Sequence, residues 1–195
     1  DLLKKCRTTK APHRDKIIIA VDPTAKLDAS SDACGIIAMS AYYPHISGGR
    51  LSKSAPRSQV HVIEDASVQN LTQSTWPKHV VRAFRKYGAD CVVAESNMGG
   101  DLVKMAIHNI DPDIPVRLVR ATRGKRTRAE PVHMLYEQGR VKHEGQGFGA
   151  LEDELIQLGS FEGYNKSPDR ADALVWGVWH LLIEPEPQFR IRGTW

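Results

Sequence analysis

The chain has 195 residues, 41% of them hydrophobic and 26% charged, enough to bury a full core in one globular domain. No run approaches the roughly 20 apolar residues of a membrane span, and the basic start lacks a signal-peptide core. Cys6, Cys34 and Cys91 form no CxxC pair, which argues against a disulfide framework or a thiolate zinc site and for a reducing compartment.

The net charge of +4 is local rather than general. Segment 117–128, RLVRATRGKRTR, holds Arg117, Arg120, Arg123, Lys125, Arg126 and Arg128 with no acid. The other 21 basic residues nearly balance 23 acidic ones. One basic patch on a neutral body suits a polyanion footprint. A solvated loop is the plain alternative.

In chain order, residues 1–15 read as a polar lead-in. IIIAVD (17–22) and ACGIIAMSAY (33–42) are β-branched, short and strand-like. Residues 43–58, rich in Gly, Ser and Pro, read as an exposed hairpin extension before a third strand, VHVIED (60–65). These three predict an antiparallel meander. Trp76, Val80, Phe84 and Tyr87 then recur at helical spacing between Pro77 and Gly88. DCVVAE (90–95) is a fourth strand, followed by a helix over about 100–110 and the strand PVRLV (115–119).

AEPVHMLYEQG predicts a helix with Pro131 early and Gly139 as its stop, and RVKH a short strand. Leu151, Leu155 and Leu158 stripe the helix in ALEDELIQL. Ser167 is the expected N-cap of a last helix, with Pro168 at its first position. That helix runs to about Ile183 and buries Leu174, Val175, Val178 and Leu182. One α/β domain over 16–185 is expected, with a loose tail from 186 to 195. Asp1 in place of a methionine predicts a piece of a longer chain.

Three acids stand where apolar segments end or begin. Asp22 closes IIIAVD, Glu95 closes DCVVAE, and Asp169 opens SPDRADALVW. Strand C-termini are where ligand sites gather in open α/β sheets, and a first helical turn favours a carboxylate. Each has a plain structural account. Asp22, beside a polar loop with Asp28 and Asp32, could make an Asx turn. Glu95 could pair with a basic residue, and Asp169 could serve the helix dipole. Asp172, three residues on, shares a face with Asp169. Together they form a cluster that repels itself unless hard cations enter. Asn97, Gly99 and Gly100 permit a tight turn or close phosphate approach after Glu95.

Other chemistries find no footing. Val119 stands where a P-loop needs glycine, and neither GxSxG nor HExxH occurs. His61, His133 and His143 read as surface or core-edge residues, and Trp176 and Trp179 as packing.

IIIAVDP, VVAESNMGGDLV, RGKRTRAEPVHMLYEQGRVKH, ALEDEL and SPDRADALVW, in this order over about 16–183, resemble the nuclease domain of tailed-phage large terminase subunits. The resemblance implies a ribonuclease H-like α/β fold, a central mixed sheet of antiparallel meander plus parallel strands flanked by helices. It implies two Mg²⁺ or Mn²⁺ ions cleaving double-stranded DNA with little sequence preference during genome packaging. Asp22, Glu95 and Asp169 match the acidic metal ligands, and Asp172 a further acid on the same helix. Pro168 stands where some relatives carry an acid, leaving open which of Asp169 and Asp172 binds metal directly. Lys125 and Arg128 match basic positions after the fifth strand.

The resemblance also implies a preceding ATPase domain, a portal protein and a small terminase subunit as partners, and action at a procapsid in the host cytoplasm. Two alternatives remain: another ribonuclease H-like enzyme such as a junction resolvase or hybrid nuclease, and a non-catalytic DNA-binding module.

Overall fold

The computed structural model describes residues 2–9, 11, 13–23, 34–44, 57–69, 75–96, 100–120, 124–159 and 168–184. The centre of the expected hairpin extension and the C-terminal tail lie outside them, as do Asp28, Asp32, Asn97, Gly99, Arg123 and Ser167.

Seven strands make one mixed sheet: β1 (Arg7–Thr8), β2 (Lys16–Asp22), β3 (Gly35–Tyr42), β4 (Gln59–Asp65), β5 (Cys91–Glu95), β6 (Val116–Val119) and β7 (Val141–Glu144). They lie in the order β1-β7-β4-β3-β2-β5-β6. β2, β3 and β4 form the expected antiparallel meander. β5 pairs parallel with β2, and β6 with β5. Because β2 and β5 run the same way, Asp22 and Glu95 end at one edge. β3 runs oppositely, so its first residue, Gly35, sits at that edge directly across from Asp22. β4 brings Asp65 to the same edge.

The central strands are buried on both faces, and alternate residues sort into two cores. Ile18, Ala20, Ile37, Met39 and Val93 face one side, with α4 (Lys125–Glu137), α5 (Gly149–Gly159) and α6 (Asp169–Val178). Ile19, Val21, Ile36, Ala38 and Val92 face the other, with α2 (Trp76–Tyr87) and α3 (Gly100–His108). All ten residues of α6 are buried, not one stripe as its pattern predicts, because α4 and α5 also pack on it. Gly177 lets α6 lie close on the sheet: a Cβ there would stand 2.4 Å from Met39 Sδ and 3.0 Å from the Ala20 Cβ. The helix continues as one π-helical turn, Trp179–Ile183.

Three features differ from the sequence reading. Within the expected lead-in, α1 (Leu2–Lys5) and β1 join the fold. Cys6 is buried, and Leu2 and Leu3 pack on the core. β1 pairs with β7 and makes it an interior strand, so His143 is fully buried between Tyr136 Oη at 2.8 Å and Glu152 at 3.0 Å. The helix expected from Ala129 begins a turn earlier, at Lys125, so Pro131 falls inside it.

Candidate active site

Asp22, Glu95, Asp169 and Asp172 meet at this sheet edge, the first two delivered by β2 and β5 and the others by the first turn of α6. Burial raises the Asp22 carboxyl well above the ordinary aspartate range, and the charges of Asp172, Asp169 and Glu95 push it further the same way. The four acids therefore lie within electrostatic reach of one another. Asp169 and Asp172 are themselves buried, at 5% and 1% exposure. Asp172 is also raised, by burial first, against the opposing pull of Lys125 and Arg128.

Glu95 and Asp172 are each held by a neighbouring side chain. Trp176 donates its indole N–H to Glu95 Oε2 at 2.9 Å. Lys125 Nζ lies 2.5 Å from Asp172 Oδ2, and Arg128 Nη2 lies 3.7 Å from Asp172 Oδ1. The Arg128 guanidinium also stands 4.4 Å from the centre of the Trp176 ring. Burial alone would lower the Lys125 pKa, but the hydrogen bond and charge of Asp172, with Asp22 and Asp169, raise it. Among the described residues, no three His, Cys, Asp or Glu side chains are drawn together into a ready-made ion cage.

The start of α6 is set by contacts that local sequence does not announce. A Cβ on Gly35 would stand 2.0 Å from the Asp169 carbonyl oxygen, so only glycine lets that helix start touch β3 beside Asp22. Pro168 occupies the cap position and makes no side-chain cap; Asp169, not Pro168, is the first helical residue. Glu154, on α5, accepts the backbone N–H groups of Arg170 at 2.8 Å and Ala171 at 3.1 Å. Gly35, Glu154 and the site role of Trp176 were missed. ALEDEL carried the only signal for Glu154, and Trp176 lies at i+4 from Asp172.

The basic segment is not a single patch. Arg117 and Arg120 are exposed on and just after the edge strand β6, and Arg126 is exposed on α4. Lys125 is half-exposed beside the acids, whereas Arg128 is 5% exposed and turned inward.

A family profile described as the terminase RNaseH-like domain matches residues 19–181, most of the chain. The chain belongs to this family. Its structure resembles the human cytomegalovirus terminase nuclease domain at 11% identity, with a TM-score of 0.60 over 91% of each chain. A manganese-soaked, inhibitor-bound form of that domain gives 0.57 at 12% identity, over 91% of this chain and 90% of that one. The large terminase nuclease from thermophilic phage G20c gives 0.55 at 14% identity, over 91% of this chain and 95% of that one. At such identities the likeness is one of fold. No curated protein matches the sequence at a significant level. The terminase resemblance and the ribonuclease H-like mixed sheet read from the sequence are both found.

For a terminase domain of this fold, the donor set fits hard divalent cations. The donors brought together are carboxylate oxygens, without thiolate or imidazole, as Mg²⁺ and Mn²⁺ prefer. Four carboxylates outnumber the two cations beside them, Lys125 and Arg128, so the site favours added positive charge.

Proposed function

We propose that this terminase domain is a divalent-metal-dependent endonuclease that cuts double-stranded DNA with little sequence preference during viral genome packaging. The observation that carries the reading is the convergence of Asp22, Glu95, Asp169 and Asp172 at the C-terminal edge of β2 and β5, at a cost that Asp22 registers directly. The manganese soak of the cytomegalovirus relative supports the choice of ion. Asp22, Glu95 and Asp169 would hold Mg²⁺ or Mn²⁺, two ions per site. When bound, such ions activate water and offset charge building on the phosphate.

The chain's other residues prepare that site. Trp176 fixes one oxygen of Glu95, and Lys125 and Arg128 hold Asp172 behind the direct ligands. We assign Arg128 to this support, given its burial, and leave phosphate contacts to the exposed Arg117, Arg120 and Arg126. Arg123 belongs to the same segment and lies outside the described residues. Phosphate contacts hold DNA without reading its bases. On this reading the domain works behind an ATPase domain, with portal protein and small terminase subunit, at a procapsid in the host cytoplasm.

A non-catalytic DNA-binding module accounts for Asp172, which pairs with basic residues. It gives no reason for holding Asp22 among three other carboxylates. Supercoiled plasmid incubated with Mg²⁺, Mn²⁺ or EDTA separates the two: nicking and linearisation are expected only with metal. Asp22→Asn, Glu95→Gln and Asp169→Asn should each abolish cutting, whereas Asp172→Asn should retain activity reduced roughly 10–100-fold, as changes behind metal ligands typically do. Cutting that survives excess EDTA, or an active Asp169→Asn beside a dead Asp172→Asn, overturns the assignment. A marked preference for four-way junctions or RNA–DNA hybrids over plasmid points to the other ribonuclease H-like enzymes.

A further inference from the structure

Beside the acids lies a second set of charged side chains with a bonding pattern of its own. Arg170, next to Asp169, turns away from the cluster because successive helical residues point about 100° apart. Its Nε donates to Asp65 Oδ2 at 3.1 Å and its Nη1 to Glu154 Oε1 at 2.8 Å. The other Glu154 oxygen takes the first-turn N–H groups of α6. The other Asp65 oxygen accepts the Ser67 backbone N–H at 3.0 Å, fixing that carboxylate to its own strand end.

A break in the strand pattern aims Asp65 at this helix. The β3–β4 register jumps from Met39↔Val62 to Ala38↔Glu64, so Ile63 is an extra residue. Ile63 packs in the α2 and α3 core, and Glu64 also points that way, accepting bonds from Lys86 and from Tyr87 Oη. Two successive residues thus face one side, and Asp65 returns to the side of α6. Without the bulge the alternation would send Asp65 to the opposite face.

We propose that Asp65, Glu154 and Arg170 form a clamp that positions Asp169 and Asp172 for metal binding. The clamp rests on the nuclease reading above and adds three residues to it. β4 and α5 are joined to the first turn of α6 by bonds from two guanidinium nitrogens of Arg170 and from the Arg170 and Ala171 backbone N–H groups to both oxygens of Glu154 and one oxygen of Asp65. Gly35 on β3 adds a third contact, at the Asp169 carbonyl. Rotation of that turn would carry both aspartates away from Asp22 and Glu95. On this reading the clamp residues act through Asp169 and Asp172 rather than on the DNA.

Arg170→Lys keeps the charge but loses the planar fork, and Glu154→Gln keeps an acceptor for the backbone N–H groups but loses the ion pair. Mn²⁺ that binds the folded state and not the unfolded one raises the thermal unfolding midpoint, so titrating that midpoint reads metal affinity without DNA cleavage. Both variants are expected to need at least 10-fold more Mn²⁺ for the same shift. Plasmid cleavage should fall 10–100-fold at fixed metal and recover partly at high Mn²⁺, with DNA affinity unchanged. Asp65→Glu should retain more Mn²⁺ affinity than Asp65→Ala.

Folded variants with the wild-type Mn²⁺ titration overturn the clamp, as does a loss confined to DNA affinity. If Arg170→Lys fails to fold, Glu154→Gln decides by the same titration. A wild-type protein that binds Mn²⁺ but never cuts DNA overturns the nuclease reading, while the titrations still judge the clamp.

Discussion

Asp22 shows how one residue registers its surroundings. Folding raises its pKa, so the folded chain binds a proton more readily than the unfolded one. The stability tied to this group is fully present below the ordinary aspartate value of 3.8 and is lost as pH rises through the folded value. Asp22→Asn removes that loss. In EDTA at neutral pH the variant should unfold at a higher temperature than the parent, by roughly 2–4 °C for each kcal/mol relieved. The difference should shrink to nothing as pH falls toward 3.8. Thermal melts across this range check it, and a gain independent of pH would assign the effect to packing instead.

At the scale of elements, the crossing of α6 over β2 and β3 decides whether the four acids meet. Two glycines permit it, Gly177 over Met39 and Ala20 and Gly35 under the Asp169 carbonyl. Gly35→Ala forces β3 or the start of α6 to move, and such overpacking typically costs about 1–3 kcal/mol. The variant is expected to stay folded with a lowered melting temperature and to lose at least about 10-fold in cleavage. Far-ultraviolet circular dichroism and plasmid nicking measure the two separately. Full activity would mean that the helix start tolerates displacement.

α4 makes a second division within one element. Its first turn sends Arg128 and Lys125 toward Asp172 and leaves Arg126 exposed. Replacing Arg117, Arg120 and Arg126 with Ala should flatten the log–log salt slope of duplex binding by about 0.9 for each phosphate left without its cation. An unchanged slope would place the DNA on another surface.

For the whole molecule, the first residues close the far side of the sheet. Removing residues 1–8 takes away β1, the buried Cys6, the packing of Leu2 and Leu3, and the 2.8 Å Arg7–Glu152 ion pair. A fully buried leucine side chain contributes about 1.5–3 kcal/mol and the partly buried Leu2 and Leu3 a fraction of that each, so with the loss of Cys6 and β1 the shortened chain should melt several degrees lower. His143, held below the ordinary histidine pKa chiefly by burial, should titrate closer to 6.5 once β1 no longer covers it. Imidazole proton shifts in an NMR titration read this directly. An unchanged melt and titration would make the segment dispensable to the domain.

Strand order along the chain, the antiparallel meander and the acids at segment ends were legible in the sequence, because alternation and β-branching act over a few residues. Asp22 and Glu95 stood out for that reason: each closes an apolar run too short for a helix. Local pattern could not show that Arg128 turns inward while Arg126 faces water, since both lie in the same basic run. Nor could it show that Trp176 bonds Glu95, or that Glu154 caps α6. These bonds join residues 81 and 16 positions apart. The polar look of residues 2–8 likewise concealed an edge strand, whose pairing depends on β7 reaching it from more than 130 residues away. Sequence alone determined which residues carry the charge and where each strand delivers it. Packing of α6 across the sheet, the glycine beneath it and the bulge in β4 decided which of those charges face one another, because such distances are set by close-packed surfaces rather than by neighbours in the chain.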